Sequence, residues 1–293
     1  MNIRENRPQP YVGVSGVVMQ KDVQSSGLEV RIPQQIFLEA YAEKAGIFNT
    51  DRLLALGVKA THRTQYQDKE SEWGRDWYPV GEQEFEEALS CNERKPRTLG
   101  VVQAHLDINH IGNSLYREEF MQKILYRGRA WIQAVQFDML PWHNRGQMLD
   151  FLEKVREDSP ELRILLQCHG KAMEELGRER SIRRLGAFAS CIDYVLFDAS
   201  HGTGTHMNAE QLDEFFEEAY ASSALSNIGF AVAGGLNAER VEQDLPQLLA
   251  KFPDLSWDAE GQLHPLNNVG KRPLQMDRTK EYLHASARVL TQH

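Results

Sequence analysis

The chain has 293 residues and a formal net charge of −9 at neutral pH, a size that suits either two small domains or one α/β barrel. The acidic balance and the lack of any long basic run argue against a nucleic-acid-binding protein. The three cysteines, Cys91, Cys168 and Cys191, form no CxxC pair, which favours a reducing compartment over a disulfide-bonded secreted scaffold. Because the N-terminus is polar and no apolar run reaches membrane-spanning length, we expect a cytoplasmic protein without a membrane segment.

Eight short apolar runs, rich in β-branched residues, are predicted to be strands. In chain order they are YVGVSGVV from residue 11, LLALGVKAT from 53, TLGVVQAHL from 98, AWIQAVQF from 130, LRILLQCH from 162, IDYVLFD from 192, IGFAVAGG from 228 and DLSWD from 254. Polar or glycine-containing turns bound each run, as expected for separate strands.

Charged stretches with helical periodicity alternate with these strands. They include EQEFEEAL from 82, REEFMQKIL from 117, MLDFLEKV from 148 and AEQLDEFFEEAY from 209. Such alternation implies parallel strands joined by right-handed crossovers, and eight units without a linker favour closure into a single (β/α)8 barrel, a TIM barrel, over residues 1–293. Residues 1–10 would then form an N-terminal extension. A doubly wound open sheet is the alternative architecture.

Two connections are longer than the others, and both follow the carboxyl ends of predicted strands. QKDVQSSGLEVR follows strand one, and HRTQYQDKESEWGRDWYPVG follows strand two. Long loops at this end of a barrel commonly form lids or substrate walls, and Trp73, Trp77 and Tyr78 favour that role for the second loop. A disordered insertion or an oligomer contact is the alternative.

The segment IDYVLFDASHGTG, residues 192–204, carries the clearest indication of function. Its apolar strand ends in Asp198, which enters a small-residue loop closed by Gly202 and Gly204. The carboxyl ends of barrel strands carry the chemistry of such enzymes, and a glycine loop lets backbone N–H groups approach a phosphate. The segment therefore predicts an enzyme that acts on a phosphorylated small molecule, although an aspartate here could also cap the loop.

Four segments in the second half of the chain match the motifs of one enzyme family in order and position. They are LFDASHGTGTHMN from 196, AVAGGLNAERV from 231, SWDAEGQL from 256 and MDRTKEYL from 276. Together they resemble the phosphoribosylanthranilate isomerase family, (β/α)8 barrels of the ribulose-phosphate-binding type that perform an Amadori rearrangement in tryptophan biosynthesis. The resemblance implies that Asp198 is the general acid. It also implies that substrate and phosphate contact Gly202, Gly204, Gly234, Gly235, Ala259 and Gly261.

The first half of the chain resembles the family more loosely and departs from it at two positions. Ser15 stands where the family has a catalytic cysteine before glycine, and a serine hydroxyl needs another residue to activate it. Arg75 precedes YPVGEQEF at the spacing of an arginine that grips the anthranilate carboxylate in the family. Gln136 matches an inward family glutamine, whereas Asp138 stands where the family has histidine. The resemblance thus assigns the base position to Ser15 and substrate contacts to Arg75 and Gln136.

Several residues could replace the missing thiol base, and the sequence does not choose among them. The candidates at strand ends are His105, Cys168, His169 and His201. Each is individually more common as a structural residue than as a catalyst.

Two other classes of function stay open. His105, Asp138, His169 and Asp198 could form the metal site of a barrel hydrolase, although no HxH or HExxH spacing supports this. A phosphosugar-binding barrel that has lost its base is the second. Lys59 at the end of strand two could form a Schiff base, but a lysine there is more often a solvated charge.

The sequence therefore predicts an aldose–ketose isomerase of a phosphoribosyl-type substrate. Such a reaction requires no cofactor and no metal. We expect a phosphorylated small molecule as the binding partner, no nucleic acid and no membrane, and the sequence allows a homodimer.

Overall fold

A computed structural model of the chain describes residues 7–23, 29–67, 69–71, 77–90, 96–106, 119, 121–126, 131–138, 140, 142–169, 176–198, 209–267 and 272–292. The ten strands are β1 Tyr11–Ser15, β2 Met19–Val23, β3 Glu29–Pro33, β4 Leu53–Thr61, β5 Thr98–His105, β6 Ala134–Asp138, β7 Arg163–His169, β8 Tyr194–Asp198, β9 Gly229–Ala233 and β10 Ser256–Ala259.

Eight of these strands form a closed parallel barrel in the order β1-β4-β5-β6-β7-β8-β9-β10. Closure comes from parallel pairing of β1 with β10, in which Gly13 lies opposite Asp258. All eight predicted strands are present, which confirms the (β/α)8 TIM barrel. The open doubly wound sheet is wrong, because an open sheet would leave β1 and β10 as edges.

Helices follow most of the barrel strands. They are α1 Gln34–Ala45, α2 His62–Tyr66, α3 Gly81–Ser90, α4 Arg145–Asp158, α5 Arg178–Phe188, α6 Ala209–Ala221, α7 Ala238–Lys251 and α8 Met276–Leu290. The helices predicted from residues 82, 148 and 209 are confirmed. In the stretch predicted from residue 117, the described residues include one π-helical turn, Gln122–Tyr126.

The first long connection contains a second, two-stranded sheet. Strands β2 and β3 pair antiparallel, with Met19 opposite Pro33. The second long connection begins with the short helix α2 and returns to the barrel at Trp77 and Tyr78, which are 7% and 5% exposed. Trp73 lies outside the described residues.

Apolar side chains fill two separate regions. The larger region lies between the sheet and the helices. The smaller one lies inside the barrel and consists of Tyr11, Leu53, Ala55, Leu99, Val101, Ala134, Leu165, Tyr194, Leu196 and Ala231. Side chains alternate along a strand, so the residue two positions after each inner apolar residue also points into the barrel. Toward the carboxyl ends of the strands, many of these inward residues are polar, and they define the site.

Among the described residues, no helix combines the length and apolar character needed to cross a membrane.

Candidate functional site

Polar side chains line the barrel interior at the carboxyl ends of its strands. They are Ser15 on β1, Lys59 on β4, Gln103 on β5, Gln136 and Asp138 on β6, Gln167 on β7, Asp198 on β8 and Asp258 on β10. Apart from Gln167, each is at most 7% exposed. Burial of so many polar groups costs free energy unless they pair with one another, so their hydrogen bonds explain the arrangement.

Three glutamines on neighbouring strands form a hydrogen-bonded chain, which we call the glutamine relay: Gln103, Gln136 and Gln167. Gln167 Nε2 donates to Asp198 Oδ2 at 3.1 Å, and Gln136 Nε2 donates to Gln167 Oε1 at 3.0 Å. Gln103 Nε2 lies 3.4 Å from Gln136 Oε1. The relay thus connects β5, β6 and β7 to the Asp198 carboxylate.

The other end of the relay reaches a second carboxylate. Gln103 Nε2 also donates to Ser15 Oγ, and Ser15 Oγ donates to Asp258 Oδ2 at 2.5 Å. An amide nitrogen only donates hydrogen bonds and an amide oxygen only accepts them, so the bond that Asp198 Oδ2 accepts fixes the amide orientation of each glutamine in turn. The result is one ordered network with Asp198 and Asp258 at its two ends.

Two glycines make room for this network. A Cβ at Gly13 would lie 2.6 Å from Asp258 Oδ1, and a Cβ at Gly57 would lie 2.6 Å from Gln103 Cδ. Real Cβ atoms do not approach that closely, so any larger residue would displace the polar side chain above it. Glycine at these two inward positions therefore leaves the space that the Asp258 and Gln103 side chains occupy.

Burial changes the acidity of two carboxyl groups. Burial raises the pKa of Asp258 to about 7, against the opposing effect of the Ser15 hydrogen bond. Burial also raises the pKa of Asp138 to about 6, opposed by the nearby Lys59 charge and by the hydrogen bond from Gln136. A carboxyl group that titrates near neutral pH can both take up and release a proton during a reaction.

Lys59 is buried rather than solvated, which corrects the expectation of a solvated rim charge. Its Nζ lies 2.5 Å from Glu260 Oε1, and the lysine side chain is 7% exposed. Burial alone would lower the pKa of Lys59, but Glu260, Tyr78 and Asp138 together raise it above its ordinary value. A Schiff-base lysine needs a lowered pKa to act as a neutral amine, so this environment argues against that role.

An aromatic wall closes one side of the mouth. Trp77 stacks on His264 with ring centroids 4.8 Å apart, and Gly16, with φ of 76°, leaves the space that the Trp77 ring fills. His264 Nε2 lies 2.9 Å from the Ser15 carbonyl oxygen, and burial lowers the pKa of His264. A neutral His264 therefore fastens the end of the second long connection to the end of β1.

The structure brings three predicted site residues together and places the others in different ways. Ser15, Gln136 and Asp198 share the hydrogen-bonded network. Gly234 and Gly235 follow β9 with φ values of 115° and 66°, so both adopt backbone conformations that favour glycine. Arg75, Gly202, Gly204 and His201 lie outside the described residues.

Two more predicted phosphate contacts lie at the end of β10 and just after it. Ala259 ends the strand and is 1% exposed. Gly261 begins the short 3-10 helix Gly261–Leu263, and a Cβ there would meet no atom of the described residues within 4 Å. The described part of the chain therefore leaves open space beside Gly261.

Cys168 does not fit the role of catalytic base. It is fully buried among the apolar residues between sheet and helices, and burial raises the pKa of its thiol above the ordinary value. His105 and His169 lie at strand ends, opposite Asp138 and Asp198 respectively. Over the described part of the chain, no three His, Cys, Asp or Glu side chains are arranged to hold a metal ion, so the hydrolase alternative gains no support there.

Sequence reasoning did not select Gln103, Gln167, Glu260 or His264, and it included Asp258 only as part of the segment SWDAEGQL, without a role. For the glutamines a signal was present. Gln103 and Gln167 each stand two residues after an inward apolar residue on a strand that is otherwise apolar. No comparable local signal marks Glu260 or His264, which follow the last strand.

Fold and site together define a TIM barrel with a buried network of hydrogen-bonded carboxyl, amide and hydroxyl groups at the carboxyl ends of its strands. No protein-family model and no curated protein matches the chain. Among solved structures, it is similar to the catalytic domain of a chitinase from Pyrococcus furiosus, with a TM-score of 0.54, 13% identity and coverage of 98% of this chain and 97% of that one.

It is also similar to tryptophan synthase subunit alpha from Legionella pneumophila, with a TM-score of 0.51, 13% identity and coverage of 99% and 96%. A protein from Aquifex aeolicus gives a TM-score of 0.51 at 12% identity, with coverage of 98% and 95%. At such identities the likeness shows the barrel fold alone.

Proposed function

We propose that the chain is a single-domain aldose–ketose isomerase that rearranges a phosphorylated ribosylamine, in the manner of the phosphoribosylanthranilate isomerase family. One observation carries this proposal: the glutamine relay joins two buried carboxyl groups, Asp198 and Asp258, at the carboxyl ends of β8 and β10. An Amadori rearrangement needs one acid and one base held on the same substrate.

The two carboxyl groups divide the reaction between them. Asp198 protonates the ring oxygen while the nitrogen lone pair opens the bond from C1 to that oxygen, which leaves an iminium ion. Asp258 then removes the proton from C2, and the electrons of the C–H bond form the C1–C2 double bond of an enol. Tautomerisation of the enol gives the ketose, so atoms and charges balance without a cofactor.

Asp258 accounts for the serine at the position of the family's cysteine. Ser15 Oγ donates its proton to Asp258 Oδ2, so the hydroxyl is oriented as a donor to the carboxylate. Burial raises the pKa of Asp258 to about 7, and such a carboxylate is a much better base at neutral pH than a serine hydroxyl. In this chain Ser15 positions the base.

The connections after β9 and β10 support a phosphate site. Gly234 and Gly235 adopt positive φ values, and helix α7 begins directly afterwards with Asn237 as its N-cap. Backbone N–H groups at a glycine turn and at a helix N-terminus attract phosphate. With Ala259 and the open space beside Gly261, they would hold the substrate phosphate away from the reacting carbons.

A single-turnover assay tests the proposal. The substrates are the N-phosphoribosyl derivatives of anthranilate and of aniline, since the aglycone is not fixed by Asp198 or Asp258. Conversion of either substrate at a rate that a metal chelator does not change supports the isomerase. Binding of both without conversion favours the phosphosugar-binding barrel instead, and loss of activity with chelator favours metal-dependent chemistry.

A variant pair assigns the acid. We expect Asp198→Asn to reduce turnover by about a hundredfold to ten-thousandfold, because general acid catalysis contributes on the order of 10²–10⁴ to such rates, while affinity for inorganic phosphate stays within about twofold. Asp150→Asn, at an exposed position on α4, serves as the control. Unchanged turnover in Asp198→Asn would rule out Asp198 as the acid.

A further inference from the structure

Asp138 offers an unused hydrogen-bond acceptor at the mouth of the barrel. It ends β6, faces inward and is 7% exposed. Its Oδ1 accepts a hydrogen bond from Gln136 Nε2 at 2.9 Å, and its Oδ2 receives no hydrogen bond from the part of the chain that the structure describes. This oxygen is not enclosed by the described residues, so a hydrogen-bond donor on a ligand can reach it at the mouth of the barrel.

A second observation, independent of the carboxylates, points the same way. Gln103 is 1% exposed and faces the same interior, yet its Oε1 has no partner among the described residues. The relay explains this, because Gln103 uses its amide nitrogen toward Ser15 and Gln136 and must turn its carbonyl oxygen elsewhere. Asp258 Oδ1 is a third acceptor without a donor.

Charge reinforces the excess of acceptors. Lys59 is the one lysine or arginine among the described inward strand residues at this end, and its charge is matched by Glu260 at 2.5 Å. Arg272 lies against the aromatic wall, with Cζ 5.9 Å from the Trp77 ring centroid, and its backbone carbonyl oxygen lies 3.1 Å from His264 Nδ1. A carboxylate on the ligand would therefore meet Asp138 at close range in a buried site, where repulsion is strong.

We propose that the substrate's aglycone presents N–H donors to Asp138 and carries no carboxylate at that position. The substrate class is then a phosphoribosyl amine with a carboxamide or amine substituent beside the linking nitrogen. This inference rests on the proposed isomerase for the sugar phosphate, and it adds the group that the pocket selects.

Two unreactive analogues that differ in one group test the inference by binding. They are 1-(2-carboxyanilino)-1-deoxyribitol 5-phosphate and its 2-carbamoyl counterpart, which are nearly isosteric. Isothermal titration at pH 8 should show the carbamoyl compound binding at least about tenfold more tightly, the range expected for one hydrogen bond to a charged acceptor.

The Asp138→Asn variant provides the decisive comparison. Its side-chain oxygen can still accept from Gln136, while the oxygen that faces the ligand becomes an NH2 donor. The preference should fall by at least about tenfold or reverse toward the carboxylate. Asp150→Asn removes the same charge from the exposed face of α4 and should leave the preference unchanged.

The outcomes separate this inference from the proposed function. Carbamoyl preference that depends on Asp138, without turnover of the matching substrate, would keep the inference and overturn the isomerase. Turnover with a wild-type preference for the carboxylate, or a preference that Asp138→Asn does not change, would overturn the inference alone. Failure of both analogues to bind would overturn both.

Discussion

The Ser15–Asp258 hydrogen bond bears directly on the base of the proposed reaction. A serine hydroxyl stays protonated at any physiological pH, so it cannot act as the base alone. Asp258 is buried, and its pKa of about 7 lies well above that of an exposed aspartate. In the proposed isomerase the base is therefore a carboxyl group whose strength depends on burial and on one hydrogen bond from Ser15.

This dependence predicts the pH profile of the reaction. The base acts when ionised, so kcat/KM should rise with pH between about 6 and 8, through the pKa of about 7 of Asp258. The hydrogen bond from Ser15 lowers that pKa, so Ser15→Ala should move the inflection to higher pH. Steady-state rates across this range check both statements.

Asp258→Asn provides the contrast, because it removes the ionisable group. The rise should disappear and the remaining rate should be low at every pH. If Asp258→Asn retained the wild-type profile, another group would have to be the base.

The position of the Asp258 carboxylate depends on the absence of a side chain at Gly13. Gly13→Ala would place a Cβ 2.6 Å from Asp258 Oδ1, so the carboxylate must move. We expect a loss of about 1–3 kcal/mol in the free energy of unfolding and at least about a tenfold fall in kcat/KM. Chemical denaturation and steady-state kinetics measure the two effects.

Gly146→Ala is the matched control on α4, where a Cβ would meet no atom of the described residues within 4 Å. It should keep full activity and leave stability equal or slightly higher, because alanine favours helices over glycine. Equal effects of the two substitutions would contradict the proposed control of Asp258 by Gly13.

At the scale of elements, two helices with the same N-cap allow a clean comparison. Asn237 Oδ1 accepts from Arg240 N at 2.9 Å at the start of α7, and Asn144 Oδ1 accepts from Gln147 N at 3.2 Å at the start of α4. Replacing either asparagine with alanine should cost about 1 kcal/mol of stability. Thermal unfolding of both variants should show similar losses.

Phosphate binding should separate these two variants. Helix α7 follows the glycine turn at Gly234 and Gly235, which is the proposed phosphate site. Asn237→Ala should therefore weaken binding of inorganic phosphate several-fold, whereas Asn144→Ala should not. Equal phosphate affinity in both variants would place the phosphate elsewhere.

The barrel strands could be predicted from sequence, whereas the hairpin of β2 and β3 could not. Barrel strands are covered by helices outside and by side chains inside, so they appear as apolar runs such as LLALGVKAT. The hairpin sequences MQKDV and EVRIP carry charges and no such run. From sequence alone they resemble an irregular loop. Each becomes a strand because it pairs with the other, and this pairing leaves no apolar pattern in the sequence.

The acid–base network was predictable only in part, for a physical reason. Asp198 follows an apolar strand and precedes a glycine loop, which is a local signal. The bond from Ser15 to Asp258 joins residues 243 positions apart, and it exists only because closure of the barrel places β10 beside β1. The buried charge of Lys59 on β4 likewise depends on its ion pair with Glu260, which follows β10 and comes near only when the barrel closes.

At the scale of the whole molecule, a buried arginine secures the opposite end of the barrel. Arg52 is 1% exposed, and it donates to the carbonyl oxygens of Leu255 at 2.5 Å and Pro253 at 2.6 Å. Its guanidinium lies 4.6 Å from the Trp257 ring centroid. Arg52 thus ties the segment before β4 to the segment before β10, on either side of β1.

Function and stability should therefore separate along the barrel axis. Arg52→Met keeps the apolar stem near Trp257 but removes the donor to the buried Leu255 carbonyl group and to the partly buried Pro253 carbonyl group, so the free energy of unfolding should fall by about 2–4 kcal/mol. Because catalytic groups lie at the carboxyl ends of the strands and residues at the other end serve stability, kcat/KM should stay within about twofold below the melting temperature.

Arg183→Met is the matched control, since the exposed pair of Arg183 with Glu179 at 3.6 Å should contribute less than about 0.5 kcal/mol. A large activity loss in folded Arg52→Met would show that the closure between β1 and β10 transmits strain to Asp258. Retained activity at reduced stability would instead mean that the network from Asp198 to Asp258 holds its geometry independently of the barrel's amino-terminal end.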